Sequence, residues 1–138
     1  MKTGIIYIVA LVALVGVFSA FQTKAPSGND PVKKGMIKVT ILYPNGEGKK
    51  FDMDYYSNKH MPMLAELFGD QLKLYEIDKG ISGRTPADPV PYLAIGYLYF
   101  ETLSAYQEIF KANVEKIRGD VQNYTNIQPI VQISEVVK

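Results

Sequence analysis

Tyr56 and His60 stand four residues apart in the stretch Asp52-Met53-Asp54-Tyr55-Tyr56-Ser57-Asn58-Lys59-His60-Met61-Pro62-Met63. His60 is the only histidine of the chain. Read as a helix, this spacing puts both side chains on one face. It pairs a phenol with the side chain whose unperturbed charge changes near neutral pH. Such a pair can move a proton and polarise an oxygen, so His60 is the candidate general acid or base and Tyr56 its partner. The competing reading is packing: an imidazole bonded to the sheet or to Asp120, and a phenol ring lying on the sheet.

A second polar cluster, Asp120-Val121-Gln122-Asn123-Tyr124-Thr125-Asn126, follows some sixty residues later. Asp120 can orient His60 and joins His60 and Tyr56 as a candidate catalytic residue. Asn123 and Tyr124 can reach a pocket mouth, and Tyr55, Met63 and Tyr97 complete the candidate substrate contacts. Turn chemistry, with Asx side chains bonding their own backbone, is the plainer reading of the cluster. Asp52 and Asp54 read first as helix caps. No metal site is expected, because one histidine and no cysteine cannot furnish a typical transition-metal shell.

Composition narrows the function classes. The chain has 138 residues, fifteen basic and fourteen acidic. No basic block gives nucleic acid an electrostatic foothold. The absence of cysteine excludes disulfides, zinc fingers, iron–sulfur ligation and a lipoprotein anchor. Lys2, an apolar run from Ile5 to Phe18, then Ser19 and Ala20 form the layout of a signal peptide over residues 1–21. An uncleaved N-terminal anchor is the alternative, although the run is short for a bilayer span of about 20 residues. Loss of Lys2 on cleavage would leave a neutral protein. Residues 22–35, with Pro26, Ser27, Gly28, Asn29, Asp30 and Pro31, read as a flexible linker. The expected location is therefore exported, periplasmic or extracellular, with membrane attachment only if the first segment is retained.

Residues 36–138 must then position the candidate groups. Met36 to Tyr43 alternates as a half-buried strand. A helix follows, capped by Asp52 or Asp54, with Tyr56, His60, Met63 or Leu64, and Leu67 as its inner stripe. Pro62 should kink it or start a new segment, and Gly69 should end it. Gln71 to Lys79 alternates again, with Leu72, Leu74 and Ile77 apolar. Tyr92 to Phe100 is almost wholly apolar and reads as a central strand, its Gly96 marking a close approach or a bulge. Leu103 to Ile117 has helical spacing, a capping box at Ser104 to Gln107 and Gly119 as its stop. Ile127 to Val137 is the last strand, with Pro129 at its start or edge.

The order is βαββαβ, an α+β ferredoxin-like arrangement: a four-stranded antiparallel sheet with two helices on one face. Apolar residues on the other face call for a partner sheet, met by a homodimer closing into an α/β barrel.

Within this order, Phe51-Asp52, Tyr55-Tyr56 and His60-Met61-Pro62 resemble the helix-one motif of the EthD family of dimeric α/β-barrel proteins, named from ethyl tert-butyl ether degradation clusters. Phe100 to Ala105 and Asp120 to Asn126 with Pro129 resemble two further motifs, so the likeness spans about Met36 to Val137. The resemblance implies an oxidoreductase or monooxygenase-type enzyme, or another proton-transfer enzyme, working on a small organic ligand between sheet and helices without a cofactor. A non-catalytic, exported ligand-binding dimer is the alternative, and an assembly domain with a self-filled pocket is a third. The leader and linker depart from the bare domain usual in the family.

Overall fold

The computed structural model describes residues 32–138, so the expected signal peptide over 1–21 and most of the expected linker over 22–35 lie outside the described residues. Four antiparallel strands form one sheet in the order β2-β3-β1-β4: β1 (Ile37–Pro44), β2 (Leu72–Lys79), β3 (Tyr92–Phe100) and β4 (Ile130–Glu135). The apolar β3 and the alternating β1 occupy the centre, as their sequences require. Among the described residues, helices cover one face only, so the chain has the ferredoxin-like α+β architecture.

Register decides which residues meet the helices. Val39 pairs with Leu98, Ile41 with Gly96 and Tyr43 with Ala94, and these six residues face the helical layer. Alternation sends Lys38, Ile95, Tyr97 and Tyr99 to the other face. In β2 the register slips between Leu72 and Leu74. This bulge breaks the two-residue period, so Leu72, Tyr75 and Ile77 pack on the core while Leu74 turns away.

The first helix is assembled from three pieces. Asp52 caps α1 (Met53–Tyr55), its carboxylate accepting from the Tyr55 N–H at 2.9 Å. The chain then widens into a π-helical turn, Tyr56–His60, closed by the Met61 N–H donating to the Tyr56 carbonyl. Pro62 lies in the first turn of α2 (Met61–Phe68), where its missing N–H and its ring are tolerated. Gly69 ends α2 at φ +52°, a conformation that favours glycine.

α3 (Leu103–Val121) corrects two expectations. Its cap is Thr102, not Ser104: Thr102 has extended backbone, and its Oγ1 accepts from the Ala105 N–H at 3.2 Å. Gly119 does not stop the helix, because it lacks the positive φ of a helix-ending glycine. The helix runs on through Asp120 and Val121, so Asp120 projects from a helical turn rather than a loop. The last strand is also shorter than expected, since Pro129 delays it and Ile127 is buried in the core instead.

At Gly96 the helical layer comes close to the sheet backbone. Tyr56 is fully buried, with its hydroxyl against the Gly96 backbone, and a Cβ there would overlap that oxygen. The hydroxyl has no hydrogen-bond partner. Gly96→Ala should therefore destabilise the fold by about 1–3 kcal/mol through overpacking. Tyr56→Phe should cost little alone, since it removes an unpaired hydroxyl, and should restore most of the loss in the double variant. Denaturant titration of the four proteins reads the coupling; additive effects would show that the two residues do not compete for space.

Candidate functional site

The segment entering the first helix is laced to the one leaving α3. Phe51 and Thr125 form a single antiparallel bridge. The Asp52 N–H donates to the Tyr124 carbonyl at 2.7 Å, and the Thr125 hydroxyl donates to the Lys50 carbonyl at 2.6 Å. Asn126 accepts from the Lys50 N–H and donates to the Gly48 carbonyl. These bonds bring the histidine helix and the Asp120–Asn126 cluster together across some sixty residues of chain.

Asp120 is the hub of the resulting network. Its Oδ2 lies 2.8 Å from His60 Nδ1. Its Oδ1 accepts from the Tyr55 hydroxyl and from Asn123 Nδ2, each at 2.9 Å. Burial alone would raise the Asp120 pKa, but hydrogen bonds from His60, Asn123 and Tyr55 outweigh it and hold the carboxyl below its ordinary range. An ionised Asp120 only accepts, so His60 Nδ1 carries the hydrogen and Nε2 presents its lone pair. That lone pair faces the Tyr124 hydroxyl at 3.4 Å, which in turn lies 2.8 Å from the Tyr43 hydroxyl. Burial pushes both phenols well above their ordinary pKa, so they stay protonated. The chain of groups runs Asp120–His60–Tyr124–Tyr43.

His60 is 3% exposed, and burial lowers its pKa below the ordinary 6.5 despite the opposing pull of Asp120. At neutral pH it is an uncharged imidazole held by one carboxylate, which is the state a general base requires.

These groups border a cavity of about 510 Å³ between the sheet and the helices. Its floor is apolar and aromatic, with Val39, Leu64, Phe68, Leu98 and Tyr106 buried around it. His60, Tyr43 and Tyr124 line it as polar groups. Arg118, Gln128 and Val131 line it too and are exposed, so they mark its mouth.

The expected site residues separate into groups. His60 and Tyr124 reach the cavity. Asp120, Tyr55 and Asn123 act behind His60 and do not line it. Tyr56 departs from its expected role as a catalytic residue that offers its hydroxyl beside His60: its ring stacks on His60 at 5.5 Å and 17°, while its hydroxyl points to Gly96. Met63 is displaced by Leu64, because the cavity face of the helix steps by four from His60 to Leu64 and Phe68. Tyr97 lies on the opposite face of the sheet, under Lys38 Nζ at 5.1 Å, because its neighbour Gly96 faces the helices. Tyr43 and Arg118 line the cavity without having been expected there. Inward alternation in β1 signalled Tyr43, and the four-residue step from Val114 signalled Arg118. Among the described residues, no group of three or more His, Cys, Asp or Glu could hold a metal.

The model of the EthD domain matches residues 45–128. The chain belongs to the EthD family. An EthD-like protein from Ralstonia eutropha JMP134 shares 36% identity, with 77% of this chain and 96% of that one covered and a TM-score of 0.73. An ethyl tert-butyl ether degradation family protein from Bacillus halodurans C-125 shares the fold at 16% identity, covering 72% of this chain and 97% of that one with a TM-score of 0.51. Comparison with curated proteins finds no match. The cavity and the Asp120–His60 pair both draw on the matched segment of this EthD protein, although Val39, Ile41, Tyr43, Pro129 and Val131 lie outside it.

The pKa shifts set an acid limit on stability. Unfolded, His60 and Asp120 bind protons that the fold disfavours, so stability falls as pH falls. The His60 contribution is whole above 6.5 and is lost as pH drops below it. The Asp120 contribution is lost only below about 3.8. The thermal midpoint should fall in two steps on acidification. His60→Gln should remove the upper step and keep the lower; an unchanged upper step would assign it to another group.

Proposed function

We propose that this EthD protein is a cofactor-independent proton-transfer enzyme, acting on a small, mostly apolar organic molecule in the cavity. The observation that carries the reading is a buried His60, 2.8 Å from Asp120, on the wall of a largely apolar cavity of about 510 Å³. His60 Nε2 takes a proton from an acidic C–H or O–H of the substrate. Asp120 holds the imidazole in the correct tautomer and stabilises its cationic form. Tyr124, backed by Tyr43, donates a hydrogen bond to the oxygen on which charge develops. A carbanion or enolate made in this way is the species an oxidoreductase or monooxygenase of this kind would pass on to an oxidant.

Deuterium incorporation into enolisable aryl ketones, β-tetralone first, tests the proton transfer directly. Wild-type protein should exchange the α-hydrogens at least about a hundredfold faster than buffer. His60→Gln should abolish the gain while remaining folded. The rate should rise with pH to a plateau, with its midpoint below the ordinary 6.5 of histidine. A ketone that binds saturably and never exchanges would favour the non-catalytic binding protein.

We further propose that the protein works as a homodimer. The sheet face opposite the helices carries half-buried Leu42, Leu74, Ile95 and Tyr97 with no layer over it among the described residues. Lys38 lies over Tyr97 on this face, and Tyr99 donates to Glu76 at 2.9 Å, so the patch offers both charge signs to a copy of itself. Sedimentation at micromolar concentration should give a dimer, and Ile95→Glu a monomer that keeps its circular dichroism. A monomeric wild type would overturn the pairing. The leader-like run Ile5 to Phe18 supports export; a mature N-terminus near Phe21 in the secreted protein checks it.

A further inference from the structure

Arg118 is the feature that the proton-transfer chemistry leaves unused. It lies in the last turn of α3 and borders the cavity where its wall is exposed. Apart from His60, it is the only charge-bearing side chain among the described residues lining that cavity. Among the described residues, the one ion pair within 4.0 Å joins His60 to Asp120 and leaves Arg118 without an acidic partner. Asp120, two residues on, is committed to Tyr55, His60 and Asn123. Gln128 is the second polar residue at the same opening.

The cavity is therefore electrically one-sided: an uncharged aromatic interior with a cation at its lip. A neutral hydrocarbon ligand has no use for that cation. A guanidinium presents paired donors that match a planar oxyanion. Tyr43, Phe68, Tyr106, Phe110 and Tyr124 supply ring edges and faces to an aromatic body.

We propose that the cavity takes an aromatic organic acid, inserted ring first, with its acid group held at the mouth by Arg118 and Gln128. This rests on the reading of the cavity as the ligand site. It adds the substrate class and the orientation, in which the acid group stays at the mouth and the ring carbons approach His60. Arg118 is then a binding residue and takes no part in the proton transfer.

Two dyes with one skeleton separate the ideas. Anilinonaphthalene sulfonate carries an acid group; phenylnaphthylamine is the same ring system without it. Both fluoresce when they leave water, so both can be titrated into the full-length protein. The sulfonate should bind wild type about tenfold more tightly than the neutral dye, and Arg118→Gln should erase that difference without moving the neutral dye. Arg118→Lys should keep part of it as a point charge. Added salt should weaken the sulfonate alone. Ile41→Phe, which fills the cavity, should weaken both dyes; Val121→Phe fills it from the helix side should the first variant fail to fold. Equal affinities in wild type and Arg118→Gln would overturn the acid proposal while leaving the cavity as a ligand site, with Arg118 only a favourable charge at a helix end. Dye binding unmoved by both filling variants would place the dyes elsewhere and overturn it too. No binding of either dye would remove the cavity reading and this proposal together.

Discussion

One carboxylate holds the site together. Asp120 accepts from Tyr55, His60 and Asn123, and those three donors come from two distant parts of the chain. A partly buried carboxylate is costly unless its oxygens are bonded, and here three donors repay that cost. The same bonds set the imidazole tautomer, tie the π-helical turn to the end of α3 and turn the Nε2 lone pair to the cavity side, where the Tyr124 hydroxyl lies 3.4 Å away. Removing the carboxylate would strand the buried His60 Nδ1–H, whereas Tyr55 and Asn123 can turn to water.

The π-helical turn and Gly96 are two halves of one fit. A regular helix through Pro62 would meet the missing N–H and the clash of the proline ring with the preceding turn. The wider turn absorbs both and stacks Tyr56 directly over His60. Tyr56 then reaches so far toward the sheet that only a glycine opposite can receive it. The imidazole is thus clamped by a ring on one side and a carboxylate on the other. Its low pKa follows from the burial this clamp imposes.

Polarity is graded along the cavity. Neutral, protonated phenols and an uncharged imidazole line the buried end, where a charge would be expensive. The permanent cation, Arg118, stays at the mouth, where water can solvate it. On the proposed reading, this gradient orients an entering ligand with its polar end outward.

Much of the fold was legible in the residues. Alternation in Ile37 to Tyr43 and the apolar run Tyr92 to Phe100 marked the central strands, and Pro62, Gly69 and Gly96 marked a break, a stop and a close approach. Local rules failed where the decision was not local. Gly119 signals a helix end, but the residues after it continue α3, and that extension carries Asp120 onto a helical turn facing His60. Tyr56 and His60 were correctly paired, yet the sheet took the Tyr56 hydroxyl and removed it from the cavity. Tyr97 looked like Tyr43 in type; register alone put one outside and the other inside. The sequence by itself determined the element order, because periodicity and spacing are properties of a segment, and the family, because its motifs are contiguous runs of residues. Only the tertiary structure decided which partners His60 has and which residues line the cavity, because strand register, the bulge in β2 and the Phe51–Thr125 crossing are relations between segments far apart in the chain.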